Sequence, residues 1–178
     1  MKEKINEPKI TKTGKKSLAG YLIAARRGDV SRIRELLDDG VNIEKRSKRG
    51  ETALTRASMY GKYECIQFLL DRGADVNATT TNGLSAVSYA SMCGNLEVLK
   101  LLLDHGGDID VNGFHRTTPL MFASQRRHPA CVALLLERGA DVSLTDESGK
   151  TAAEGWYTSH EIKKMLTDAA DKTEYVLK

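Results

Sequence analysis

The sequence predicts an all-α solenoid of stacked helix–turn–helix units joined by hairpin loops. Glycines stand at Gly40, Gly73, Gly106 and Gly139, each 33 residues after the last, and alanines at Ala24, Ala57, Ala90 and Ala123 keep the same step. Leucine pairs at Leu36-Leu37, Leu69-Leu70, Leu102-Leu103 and Leu135-Leu136 keep it too, each preceded three residues earlier by Ile33, Ile66, Leu99 or Val132. Within one period Ile66, Leu69 and Leu70 lie at i, i+3 and i+4, the spacing of a single helix face. Self-similarity of this length marks one supersecondary unit repeated in tandem.

Residues 1–16 read as a flexible basic leader. Through Ser17 the chain holds six lysines against Glu3 and Glu7, a balance of +4 that leaves −1 for the other 161 residues of the net +3. Pro8, Gly14 and a low apolar content argue against packing there. The first repeat, 17–45, carries Ala24-Ala25 on one helix and Ile33 and Leu36 on a second. Arg32 stands where later units have Cys65, Val98 and Cys131, as suits a terminal unit with one face in water.

The second repeat, 46–78, shows the pattern in full. Thr52 precedes a short helix carrying Ala57 and Ser58, Gly61 marks a turn, and a longer helix is predicted over 64–72. Gly73 ends that helix, because a residue just past a helix end commonly needs the left-handed conformation. Thr52, Ser85, Thr118 and Thr151 share one slot, where a hydroxyl accepts a bond from an otherwise unpaired backbone N–H. In the third and fourth repeats, 79–111 and 112–144, the small pair recurs as Ala90-Ser91 and Ala123-Ser124, which lets the short helices approach closely.

The fourth repeat departs from the pattern. Arg116 occupies the hairpin-tip slot of Gly50, Gly83 and Gly149, and Arg127 the inter-helix slot of Gly61 and Gly94. A side chain is strained where glycine is demanded, so the tip is expected to rearrange around Gly113. In the fifth repeat, 145–168, the stretch 161–166 arrives two residues early and Trp156 takes the alanine slot, where a larger side chain can seal the end. Residues 169–178 read as a C-terminal tail. One unit buries too little apolar surface to offset the ordering of its own backbone, so neighbouring units must supply the rest.

These residues resemble the ankyrin repeat family. Its G-x-T-P-L-H-x-A and G-A-D-V-N patterns are matched by Gly50-Glu51-Thr52-Ala53-Leu54-Thr55-Arg56-Ala57 with Gly73-Ala74-Asp75-Val76-Asn77. They are matched again by Thr118-Pro119-Leu120-Met121-Phe122-Ala123 with Gly139-Ala140-Asp141-Val142-Ser143. The likeness covers about residues 17–168. Thr55, Ser88 and Met121 replace the family's usual histidine, so its hydrogen bond to the threonine slot is expected to be missing.

Chemistry-bearing motifs are weak. Gly83-Leu84-Ser85-Ala86-Val87 lacks the last glycine of a hydrolase elbow, and Lys9 stands where a phosphate loop ending near Gly14-Lys15 needs its first glycine. Asp108-Ile109-Asp110-Val111-Asn112-Gly113 begins like a calcium loop, but Pro119 replaces the bidentate glutamate, and Asp108 repeats the slot of Asp75 and Asp141. His105, His115, His128 and His160 lack metal-ligand pairing and are expected at surfaces or in loops. Cys65, Cys93 and Cys131 form no C-x-x-C pair, and Cys65 and Cys131 fall in core slots. The expectation is a protein with no catalytic residue, metal or cofactor.

No window approaches a membrane span, and the N-terminus lacks the apolar region of a secretory signal. A monomer in the cytoplasm is expected, with the nucleus or delivery into another cell left open.

The resemblance implies a concave face made by the short helices and hairpin tips, with binding residues at non-repeating positions. The tips give Lys48, Arg49 and Glu51, then Thr81, Asn82 and Leu84, then Phe114, His115 and Thr117, then Glu147, Ser148 and Lys150. The short helices give Arg26, Arg27, Met59, Tyr60, Met92, Cys93, Gln125 and Arg126. This strip, cationic at one end and apolar at its middle, suits a protein or peptide with acidic and apolar groups. The implied function is an interaction module acting as adaptor, scaffold or inhibitor. Nucleic-acid binding through the same cations and rings is the alternative, disfavoured by the −1 balance of the repeat region.

Overall fold

The computed structural model describes residues 14–155 and 157–176, with side chains over 20–155 and 157–171. Most of the expected leader, and Trp156, lie outside the described residues. Four helix pairs follow one another: α1 (Gly14–Arg27) with α2 (Val30–Asp38), α3 (Ala53–Met59) with α4 (Tyr63–Asp71), α5 (Ala86–Cys93) with α6 (Leu96–Asp104), and α7 (Pro119–Gln125) with α8 (Pro129–Glu137). A short 3-10 turn, Ala152–Glu154, and α9 (His160–Val176) complete the stack. Among the described residues there is no strand.

The helices form two rows. Each inner helix touches the next, α1 on α3 on α5 on α7 and then the Ala152–Glu154 turn, while α2, α4, α6, α8 and α9 form the outer row. The inner approach is close because its contact slots hold Ala24, Ala57, Ala90 and Ala123, all buried, beside Ala25, Ser58, Ser91 and Ser124. Ile33, Leu36, Ile66, Leu69, Leu99, Leu102, Val132 and Leu135 face inward from the outer row and are almost wholly buried. Cys65, Val98 and Cys131 are buried beside them, and Arg32 in the same slot lies exposed and paired with Glu35.

The helix ends follow the sequence. Thr52, Ser85 and Thr118 each accept a hydrogen bond at the start of an inner helix, from the backbone N–H of Thr55, Ser88 and Met121. The bond expected to be missing is rebuilt with shorter side chains: the Thr52 N–H donates to Thr55 Oγ1 at 2.9 Å and the Ser85 N–H to Ser88 Oγ at 3.3 Å. At Met121 only a sulfur is within reach, 3.4 Å from the Thr118 N–H.

Two boundaries shift. Helix α1 begins at Gly14, inside the expected leader, and α9 runs to Val176 through the expected tail. Helix α9 is the outer helix of the fifth unit. Its inward residues are Ile162 and Leu166, an i, i+4 pair in place of the i, i+3 pair of the other units. The stretch arrives early because the three-residue turn Ala152–Glu154 replaces the longer inner helix and α9 starts at His160.

Adjacent units are joined by polar bonds as well. Backbone N–H groups of Asp75, Asp108 and Asp141 donate to the side chains of Glu44, Asn77 and Asp110 in the preceding unit. Asp108 Oδ1 accepts from the Asp110 N–H as Asp75 does from Asn77 and Asp141 from Ser143, so the residues resembling a calcium loop make the same turn as their counterparts.

Candidate functional site

The hairpin tips share one hydrogen-bonded turn. In each, the first residue's N–H donates to the carbonyl four positions on: Ser47 to Glu51, Thr80 to Leu84, Gly113 to Thr117, Asp146 to Lys150. The residue before that acceptor donates back, from Gly50, Gly83, Arg116 and Gly149. The expected rearrangement around Gly113 takes another form: the turn bonds are kept, and the change falls in the 3-10 turn Phe114–Arg116, where His115 is left-handed although Arg49, Asn82 and Ser148 in the same slot are not. Arg116 keeps the bond and the left-handed backbone of its slot, at φ 58°, and His115 beside it stands at φ 55°. Gly113 is not left-handed, with φ −89°; a Cβ there would press on Leu84 and on the Thr117 carbonyl. Arg127 likewise adopts φ 60° in its glycine slot.

Neighbouring tips are tied unevenly. The Thr81 N–H donates to the Arg49 carbonyl at 3.0 Å and the Glu147 N–H to the His115 carbonyl at 3.1 Å. Among the described residues no backbone bond joins the tip of Asn82 to that of Phe114.

The predicted binding residues lie along the inner-helix ends and the tips. Arg26 and Arg27 close α1 and are exposed, with the Arg26 guanidinium 5.9 Å from the Tyr60 ring centroid. Met59, half-buried, and exposed Tyr60 end α3. Met92 is half-buried in α5; half-buried Gln125 and exposed Arg126 end α7. The Cys93 thiol donates to the Met59 carbonyl at 3.4 Å. Burial pushes that thiol up, opposed by the charge of Arg126.

At the tips, Lys48, Arg49 and Asn82 are exposed, as is Phe114 at 51%. The Phe114 and His115 rings meet edge to face with centroids 3.7 Å apart, and His115 Nδ1 lies 2.6 Å from Glu147 Oε2. These two residues link onward to the next tip rather than back along the strip. Lys48, Arg49, Met59 and Tyr60 converge on one cleft.

Other expectations need correction. Glu51 and Thr117, placed at the tips as candidate contacts, are buried at 7% and 8% exposure. The Glu51 carboxylate is held by Arg56 Nη2 at 2.7 Å and by Ser47 Oγ at 2.9 Å, an ion pair that reading the sequence does not reveal. Its signal is in the slot comparison: Leu84 and Thr117 follow Glu51, and Tyr89 and Phe122 follow Arg56. His128 lies in the loop between α7 and α8, one of the two places expected, and is packed there. Its Nε2 lies 3.2 Å from the Met92 carbonyl, and its ring covers Gly94 so closely that any Cβ there would collide at 2.5 Å.

Among the described residues no group of three or more His, Cys, Asp or Glu could hold a metal ion, and no helix is long and apolar enough to cross a membrane. The cysteine chemistry is that of packing. Burial pushes Cys65 up to about 12 and Cys131 up to about 11, away from the range in which a thiolate is available as a nucleophile.

A family model described as Ankyrin repeats, in three copies, matches residues 5–80 and 76–146. No curated protein matches the chain at a significant level.

Proposed function

The chain belongs to the ankyrin repeat family, whose repeats generally mediate protein–protein interactions, and on that premise we propose that it is a non-catalytic recognition module. It acts as an adaptor, scaffold or inhibitor by holding a partner protein or peptide along the concave face of inner-helix ends and hairpin tips. The observation that carries this reading is the company kept by the non-repeating residues. Phe114 and Tyr60 are large apolar side chains left 51% and 45% exposed along the strip that also carries exposed Arg26, Lys48, Arg49 and Arg126, while the repeating residues are spent on the core. Exposed aromatic rings among arginines are what protein interface centres are enriched in.

The strained tip supports it further. Two consecutive left-handed residues, His115 and Arg116, cost stability and hold Phe114 out from the stack. The test is capture of partners from the native host with the wild-type chain, followed by calorimetry with the purified partner. Phe114→Ala and Arg126→Ala are expected to weaken binding by about tenfold or more. Glu137→Ala, on the outer row, is expected to leave it unchanged. Unchanged affinity in both face variants sinks the reading.

A further inference from the structure

The strip ends on its N-terminal side in a cleft of about 320 Å³ between the first hairpin tip and α3. Met59 and Tyr60 wall it, Glu51 and Arg56 lie at its base, and Lys48 and Arg49 form its rim. The base is an ion pair that the scaffold does not require. In the next two units the same slots hold Leu84 with Tyr89 and Thr117 with Phe122, and the backbone turn is unchanged. A half-buried ion pair is seldom more stabilising than such apolar residues, so its presence here points to use rather than to folding.

Its charges do not cancel. Arg56 answers the Glu51 carboxylate through Nη2, and its Nε is buried without a partner among the described residues. The side chains of Lys48 and Arg49 make no ion pair or hydrogen bond among the described residues, and Arg26 adds a fourth cation against the Tyr60 ring. The Tyr89 hydroxyl, pushed up by burial, lies in the field of Glu51, Arg56 and Arg49 from the neighbouring unit. Three cationic side chains, Lys48, Arg49 and Arg56, thus line the cleft with one carboxylate already engaged, beside the Met59 and Tyr60 wall, and Arg26 lies nearby against Tyr60. A guanidinium with free donors favours a carboxylate over a neutral group.

We propose that this cleft takes a carboxylate side chain from an extended acidic segment of the partner protein, with Arg49 and Lys48 holding the carboxylate and Met59 and Tyr60 covering the apolar residue next to it. The assignment rests on the protein-binding reading of the whole face and narrows it to one end and one chemistry.

Two synthetic peptides test it on the full chain, one of repeating Glu-Glu-Leu-Ser and its counterpart with glutamine for glutamate, followed by amide chemical shifts. The glutamate peptide is expected to move the resonances of Lys48, Arg49, Arg56 and Tyr60, and the glutamine peptide is not. Lys48→Glu combined with Arg49→Glu, both at exposed positions, is expected to weaken glutamate-peptide binding by about tenfold or more at an unchanged melting temperature. Phe114→Ala leaves it within about twofold.

Equal binding of the two peptides, shifts confined to other parts of the face, insensitivity to the double charge reversal, or no binding up to about 1 mM each overturns the proposal. If Phe114→Ala and Arg126→Ala still weaken binding of the purified partner, the broader reading survives that failure. If the peptide response is as expected while the partner ignores every face variant, the broader reading fails and this cleft stands as an acidic-peptide site.

Discussion

Replacing Arg116 by glycine frees a backbone position that is held left-handed at φ 58° by the hydrogen-bonded turn of its hairpin tip. A side chain there costs roughly 1–2 kcal/mol, and glycine returns roughly 0.5–1 kcal/mol of that through its greater freedom in the unfolded chain. The Arg116 side chain is exposed and has no hydrogen-bond or ion-pair partner among the described residues, so little else is lost. The net expectation is a gain of about 0.5–1 kcal/mol, or about 1–4 °C in melting temperature for a chain of this size. Arg127→Gly is the internal control. It relieves the same strain at φ 60° but removes the Arg127 Nε bond to the Tyr157 carbonyl, 3.1 Å long, and a bond worth about 0.5–1 kcal/mol brings its net effect near zero. Calorimetric and urea unfolding of both variants and of Arg116→Ala, which keeps its Cβ and should stay within about 0.5 kcal/mol of wild type, reads the difference. A lower melting temperature for Arg116→Gly, or equal stabilisation by Arg116→Ala, refutes strain as the cause.

Core packing and thiol chemistry offer further checks. Leu102→Ala empties a fully buried position on α6, which packs between α4 and α8, and should cost about 3–5 kcal/mol in urea denaturation. Ser91 Oγ is buried without a partner among the described residues, while Ser124 Oγ donates to the Leu120 carbonyl at 2.8 Å; Ser91→Ala should therefore stabilise by about 1 kcal/mol more than Ser124→Ala. Thiols that ionise near 9.0 when exposed but near 12 at Cys65 and 11 at Cys131 when folded stay protonated in the native state. Their contribution to stability is whole below about pH 9 and is lost as pH rises toward 11 and 12, so the urea midpoint should fall over that range, and less so in Cys65→Ala. In the same folded protein, Cys93 should react with a thiol reagent before Cys65 and Cys131, because it alone of the three is exposed.

What repeats is legible, because a slot filled the same way in successive units reports a packing or backbone demand common to all. Ile66, Leu69, Ala57 and Thr52 can be placed from spacing alone, and the structure buries all four. What does not repeat is harder. Arg116 reads as a residue the tip would move to avoid, yet the turn's two hydrogen bonds and the neighbouring tip hold it in place at the expense of strain. Glu51 reads as an exposed tip residue because its partner Arg56 sits on the following helix, and a charge pair across a turn leaves no periodic trace. His128 looks like a solvated histidine because the glycine it covers, Gly94, belongs to the unit before it. Of the strip, the identity of its members follows from position, whereas the convergence of Lys48, Arg49, Met59 and Tyr60 on one cleft needs three dimensions.

The uneven tying of the tips divides the row into two stapled couples, with a seam between Asn82 and Phe114 that is closed by packing alone, Gly83 lying against Asn112 and Gly113. Separating the members of a couple breaks a backbone bond, whereas widening the seam breaks none among the described residues. A guest long enough to reach from the cationic end to Phe114 must lie across that seam. Such a guest would itself bridge the seam and stiffen the row, whereas one held in the cleft alone would leave the seam as it is.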